Sequence, residues 1–167
     1  MTPALLPYSV GDVSVLQKLI GALLGPRVRR RARGKTLAQL AEQLERSRDE
    51  LMPRIMAAKD TPGNREAINH WLGIERWSLA RVRQWRNPPT ELDRYHRFRL
   101  PDGASLAELQ AAFAQAREES ISLARELERE GADPQAVVPH NDLGPLTVAE
   151  WFEYVDDHTR REIIRLR

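Results

Sequence analysis

The segment from Leu146 to Arg167, LTVAEWFEYVDDHTRREIIRLR, constrains the fold more than any other. Thr147 is placed to cap a helix, and Glu150, three residues on, completes a capping box. From there Val148, Trp151, Val155, His158 and Glu162 recur at helical spacing and share one face. That face begins apolar and ends in an imidazole and a carboxylate one turn apart. A carboxylate on a core-facing stripe is costly unless it is paired, hydrogen-bonded or bound to a cation. The helix therefore needs a partner from the rest of the chain. Asp156, Asp157, Arg160 and Arg161 flank the stripe, and the pattern assigns them to solvent.

Three further segments carry helical periodicity. From Thr36 to Ala58, Leu37, Leu40, Leu44, Leu51 and Ile55 form one side, with charged residues opposite and Pro53 near the end. After the turn Asp60-Thr61-Pro62-Gly63-Asn64, a second helix runs from about Arg65 to Trp85 on Ile68, Trp71, Leu72, Leu79 and Val82. On this helix Glu75 falls near the middle of the apolar face and His70 on its flank. Pro-Pro and Pro-Asp-Gly mark Asn87 to Ser105 as a loop, with His96 exposed among Arg94, Arg97 and Arg99. Ser105 and Glu108 form another capping box, opening a helix to about Glu130. The link from Gly131 to Gly144 contains His140-Asn141-Asp142, which either reaches a site from above or makes turn hydrogen bonds. No strand pair with convincing alternation is visible. The expected fold is all-α: a four-helix bundle over residues 35–167, preceded by an extension, 1–34, with a short helix at Val13 to Leu24 and a basic connector.

The connector, GPRVRRRARGK, packs Arg27, Arg29, Arg30, Arg31, Arg33 and Lys35 together. Such a cluster suits nucleic acid or an acidic partner. It lacks interleaved aromatic side chains for base stacking, and the chain's net charge is only +2. A solvated connector is the better reading, and nucleic acid is an unlikely partner. No apolar run approaches the roughly 20 residues that span a bilayer, and the N-terminus does not read as a signal peptide. There is no cysteine, so a metal site must draw on carboxylates and the four histidines. A cytoplasmic location is the expectation.

His70 on the second helix of this bundle, followed far downstream by His158-x-x-x-Glu162 on the fourth, resembles the DinB superfamily, the DinB/YfiT-like bacterial four-helix bundles. INHWLGIERW, at Ile68 to Trp77, is similar to the family's second-helix segment, and HNDLGPLTVAEWFEYVDDHTRRE, at His140 to Glu162, to its loop and fourth helix. The resemblance covers residues 36–167. It implies a metal site built from one histidine of helix two and a His-x-x-x-His pair of helix four. His70 and His158 match that pattern, while Glu162 stands where the family usually has histidine. Two histidines and a glutamate suit a divalent metal: zinc, nickel or iron. Glu75 and His140 are then the expected outer-shell partners of the ligating imidazoles.

The resemblance further implies a metal- and thiol-dependent transferase or hydrolase, using a low-molecular-weight thiol and an unidentified small-molecule substrate. A non-catalytic, metal-free interaction or stress-associated protein is the alternative, with Glu162 paired to an arginine. Family habit and four tryptophans, more aromatic bulk than one small core obviously needs, motivate the expectation of a homodimer.

Overall fold

A computed structural model describes residues 24–89 and 93–167. The expected helix at Val13 to Leu24 lies almost wholly outside them. The described residues are mainly helical: α1 (24–32), α2 (Leu37–Met56), α3 (Pro62–Arg83), α4 (Leu106–Arg129) and α5 (Val148–Glu162). Short 3₁₀ turns cover Tyr95–Phe98 and Ile163–Arg165. Local capping chemistry sets the helix starts. Thr36 with Gln39, Ser105 with Glu108 and Thr147 with Glu150 each form a reciprocal capping box, while α3 starts earlier than expected: Thr61 caps it with Pro62 in its first turn, so Pro62 to Asn64, read as turn, are helical. Pro53 sits in the last turn of α2, which continues past it to Met56. No described helix is long and apolar enough to cross a membrane.

The link before α5 differs from expectation. It contains an antiparallel hairpin, β1 (Val137–His140) with β2 (Gly144–Thr147), in which Val138 faces Leu146 and His140 faces Gly144. Four residues per strand, each with a proline, leave too little alternation to read as strands. Tertiary contacts hold the hairpin instead: Val138 and Leu146 are buried, and Trp151 Nε1 donates to the Val138 carbonyl at 3.0 Å.

α2 and α3 each pack against both α4 and α5. The apolar core is divided into two clusters. One gathers α1, the start of α2, the ends of α3 and α4, the hairpin and most of α5. The other gathers the end of α2, the start of α3 and α4, and Ile163 and Leu166. Where the chain passes from one cluster to the other, every long helix contributes buried polar groups: Ser47 on α2, Glu75 on α3, Arg117 and Ser120 on α4, Asp156 and Thr159 on α5. Arg117 Nη2 donates to Glu75 Oε2 at 3.0 Å and to Thr159 Oγ1 at 3.1 Å, and its Nη1 donates to Asp156 Oδ1 at 3.4 Å. Ser120 donates to Glu75 Oε1 at 2.6 Å. This layer is where the α5 stripe meets its charged neighbours.

α5 is more deeply enclosed than its pattern suggests. Glu153, Asp156 and Asp157 are all 1% exposed or less. Asp156 and Asp157, assigned to solvent by periodicity, face partners instead. The basic connector supplies several of them. Arg27 Nε donates to Asp157 at 2.8 Å, Arg31 bonds Glu153, and Lys35 Nζ donates to Glu153 at 2.8 Å. Val28 and Ala32 of the same segment enter the core. So α1 is an integral helix rather than a solvated connector, and Arg27, Arg31 and Lys35 are occupied within the chain. Trp71, Trp77 and Trp151 are likewise buried in the chain's own core, with Trp85 packed against it.

Gly73 lets the Tyr95–Phe98 turn lie directly on α3. A Cβ there would sit 2.9 Å from the Tyr95 carbonyl oxygen and 2.8 Å from Arg99 Cγ. Gly73→Ala gains about 1 kcal/mol of helix propensity but forces that backbone away, an overpacking cost of about 1–3 kcal/mol. We expect a lower urea midpoint for this variant. Arg117→Met removes the cation shared by two buried carboxylates and should cost about 3–5 kcal/mol in the same measurement. An unchanged midpoint would show that the layer is not held by Arg117.

Candidate functional site

All four histidines line one cavity of about 420 Å³. α3 contributes His70, Ile74 and Trp77, the 3₁₀ turn Tyr95 and His96, the hairpin tip His140 to Leu143, and α5 Tyr154, His158, Arg161 and Glu162. Leu24 of α1 closes one edge. The loops are tied together beneath the rim. Arg81 Nη2 donates to Asp93 Oδ1 at 2.7 Å, and Asn141 Nδ2 donates to the Asp93 carbonyl at 3.0 Å.

The site centres on His70 and His158, whose Nε2 atoms face each other at 3.3 Å. Burial pushes the His158 imidazole well below its ordinary range, with His70 adding to the effect. Burial also lowers His70, against a smaller opposing pull from Glu162. Both rings are therefore neutral at pH 7, the form that offers a lone pair. Without an ion, one Nε2 must be protonated and donate to the other. Two nitrogens bound at about 2.0–2.1 Å to a tetrahedral ion stand about 3.3 Å apart, so the spacing fits a pair of metal ligands.

Glu162 lines the same cavity, but its carboxylate is paired with Arg165, one turn further along. Among the described residues, no three His, Cys, Asp or Glu side chains are gathered as a metal-holding group. The expected triad is thus represented by two facing imidazoles and a carboxylate turned to a neighbouring guanidinium.

Neither expected outer-shell partner reaches the imidazole pair. Glu75 bonds Arg117 and Ser120, and His158 Nδ1 has no hydrogen-bond partner among the described residues. The reason is depth: a carboxylate in the middle of the apolar face meets the core of α4, not the cavity. Burial raises the Glu75 carboxyl, and Arg117 opposes that shift. At Asp156 burial also acts upward, yet Arg117 and the surrounding hydrogen bonds outweigh it and the carboxyl is held below its ordinary range.

His140 makes turn hydrogen bonds, one of its two expected roles. Its Nδ1 accepts the backbone N–H groups of Asp142 and Leu143, both at 3.1 Å. Its ring packs among Trp77, Trp151 and Tyr154, with centroids 5.0, 4.9 and 4.8 Å away. Accepting at Nδ1 places the ring proton on Nε2. Burial, assisted by the charge of Arg81, lowers the imidazole to about 3.

The aromatic wall was not legible as part of a site. Tyr154 is one turn before His158 on α5, and Tyr95 stands edge-on to His70 at 4.9 Å. Apolar periodicity marks such residues as core and carries no sign of which ones border a cavity. His96, expected to be exposed, is exposed and also lines the cavity, stacked on Tyr95 at 3.9 Å. No family model matches the chain, and no curated protein or solved structure shows significant similarity to it.

Histidines kept neutral by burial tie stability to pH. The unfolded chain binds a proton at each histidine below about pH 6.5, whereas folded His140 stays neutral until about pH 3. Its contribution is present in full above pH 6.5 and falls as pH drops, by up to about 1.4 kcal/mol per pH unit. His140→Asn keeps an acceptor for the two N–H groups but does not titrate. Chemical unfolding between pH 7 and 4 should show a shallower loss of stability for this variant than for the native chain. Parallel slopes would contradict the neutral assignment.

Proposed function

We propose that the chain is a four-helix bundle of the DinB kind whose cavity binds a divalent metal through His70, His158 and Glu162. The observation that carries this reading is the 3.3 Å approach of two neutral imidazoles in a cavity of about 420 Å³. Zinc, nickel and ferrous iron all suit two nitrogens and one carboxylate oxygen. Glu162 joins by exchanging Arg165 for the ion, a change of side-chain rotamer at a partly exposed position. An exposed ion pair is worth only about 0–1 kcal/mol, so the exchange is inexpensive. The bound metal supplies Lewis acidity toward a water or a small thiol. The chain itself supplies an apolar chamber beside it, walled by Ile74, Trp77, Tyr154 and Leu143. A metal- and thiol-dependent transferase or hydrolase acting on a small molecule is the activity this arrangement serves best.

The Glu162–Arg165 pair also favours a second reading, a metal-free interaction protein in which that pair is the resting state.

Titration calorimetry with zinc separates the two. The native full-length chain should bind one equivalent. His70→Ala and His158→Ala should each weaken binding by more than the roughly ten- to hundredfold typical of losing an outer-shell partner, and Glu162→Ala should weaken it comparably. Native-like zinc affinity in Glu162→Ala would remove Glu162 from the ligand set, and no zinc binding by the native chain would favour the second reading.

A further inference from the structure

Several of the polar groups around the cavity already have partners within the chain. His70 and His158 face each other, Glu162 holds Arg165, and Arg161 donates to Asp157 at 2.8 Å. Asn141 is spent on Arg81 and Asp93. His140 Nε2 is fully enclosed by the surrounding rings and cannot reach a ligand. Tyr154 adds a donor that borders the cavity beside the imidazole pair. Its side chain is buried to 7% exposure and lines the cavity, yet its hydroxyl makes no hydrogen bond to any described residue. That hydroxyl is not among the side-chain atoms fully shut off from solvent, so it opens to the cavity, where a ligand oxygen can accept from it. Trp151, one position from a full turn earlier on α5, instead donates to the Val138 carbonyl.

The ring of Tyr154 is also held in place. It stands edge-on to His140 at 4.8 Å and 84°, and edge-on to Trp151 at 5.9 Å and 89°. His158 lies four residues further on, the spacing that puts both side chains on one helix face, with ring centroids 5.9 Å apart. The ring is thus fixed beside His158, and its hydroxyl is a preorganised donor at the cavity they share.

We propose that Tyr154 is a ligand-contacting residue: its O–H donates to an oxygen of a small carboxylate or carbonyl ligand seated beside His70 and His158. Donation from a fixed hydroxyl orients the ligand oxygen, while Trp77 and Leu143 cover the ligand's apolar part. This rests on the metal reading above, since the ligand's second anchor is the ion held by the imidazoles.

Acetate is the probe, and the cobalt-substituted full-length chain gives a visible spectrum that reports ligands at the metal. Tyr154→Phe should leave cobalt affinity and thermal midpoint unchanged and weaken acetate binding about tenfold, the worth of one hydrogen bond. Tyr95→Phe, which alters another cavity tyrosine, should change acetate binding less than twofold. In the zinc form of the native chain, the Tyr154 ¹³Cζ resonance should move on adding acetate, a readout that does not depend on a variant folding. Acetate affinity unchanged in Tyr154→Phe, loss in Tyr95→Phe instead, or a stationary Tyr154 resonance would each overturn the assignment. Failure to bind cobalt at all would overturn the metal reading and this inference with it, a result distinct from cobalt binding with no Tyr154 effect.

Discussion

The Arg117 guanidinium is the point on which the helices depend. It lies on α4 at the boundary between two apolar clusters and reaches Glu75 of α3 as well as Asp156 and Thr159 of α5. Charges this deep carry a large desolvation cost, which is met only when every lone pair and proton finds a partner. Glu75 is satisfied by Arg117 and Ser120, and Asp156 by Arg117, Gln43 and Arg160. The consequence is geometric as much as energetic. Sliding α5 by one residue would leave carboxylates facing hydrocarbon, so the layer sets the height at which α3, α4 and α5 meet. That height brings His70 level with His158.

A second set of charges reinforces the same alignment from outside. Glu153 and Asp157 of α5 are enclosed because α1 lays Arg27, Arg31 and Lys35 over them. These cations are partly exposed, so each pair alone contributes little. Their role is to let α5 present acids on one side and a cavity wall on the other. Asp157 adjoins His158 in the chain, and its partners Arg27 and Arg161 hold that turn from both sides. The basic segment and His158 are therefore parts of one arrangement, although they lie far apart in the chain.

The cavity forms where packing gives way to loops. Gly73 admits the Tyr95 turn against α3, Arg81 anchors Asp93, and His140 closes the hairpin tip by accepting two backbone N–H groups. Each of these is a backbone-level fit. Together they place aromatic rings around two neutral imidazoles and leave the Tyr154 hydroxyl facing the cavity without a partner among the described residues.

Much of this was legible before any coordinates. Capping boxes at Thr147 and Ser105 and the spacing of leucines along α2 are local features, because a helix start depends on residues three apart and an apolar face on residues three and four apart. The same locality put His158 on the inward face of its helix and His70 on the flank of another, and drew attention to Glu162. What local pattern could not carry was the identity of partners. Asp156 and Asp157 read as solvated because periodicity ranks faces by hydropathy, and only the docking of α1 and Arg117 makes them interior. Glu75 read as an outer-shell group for an imidazole, but its depth on α3 decided for Arg117. The hairpin was too short and too proline-rich to register as strands. The sequence by itself determined the long helices, the capped starts of α4 and α5, and an inward-facing His158. Tertiary structure decided which charges meet, because electrostatic partners and cavity walls come from residues far apart in the chain.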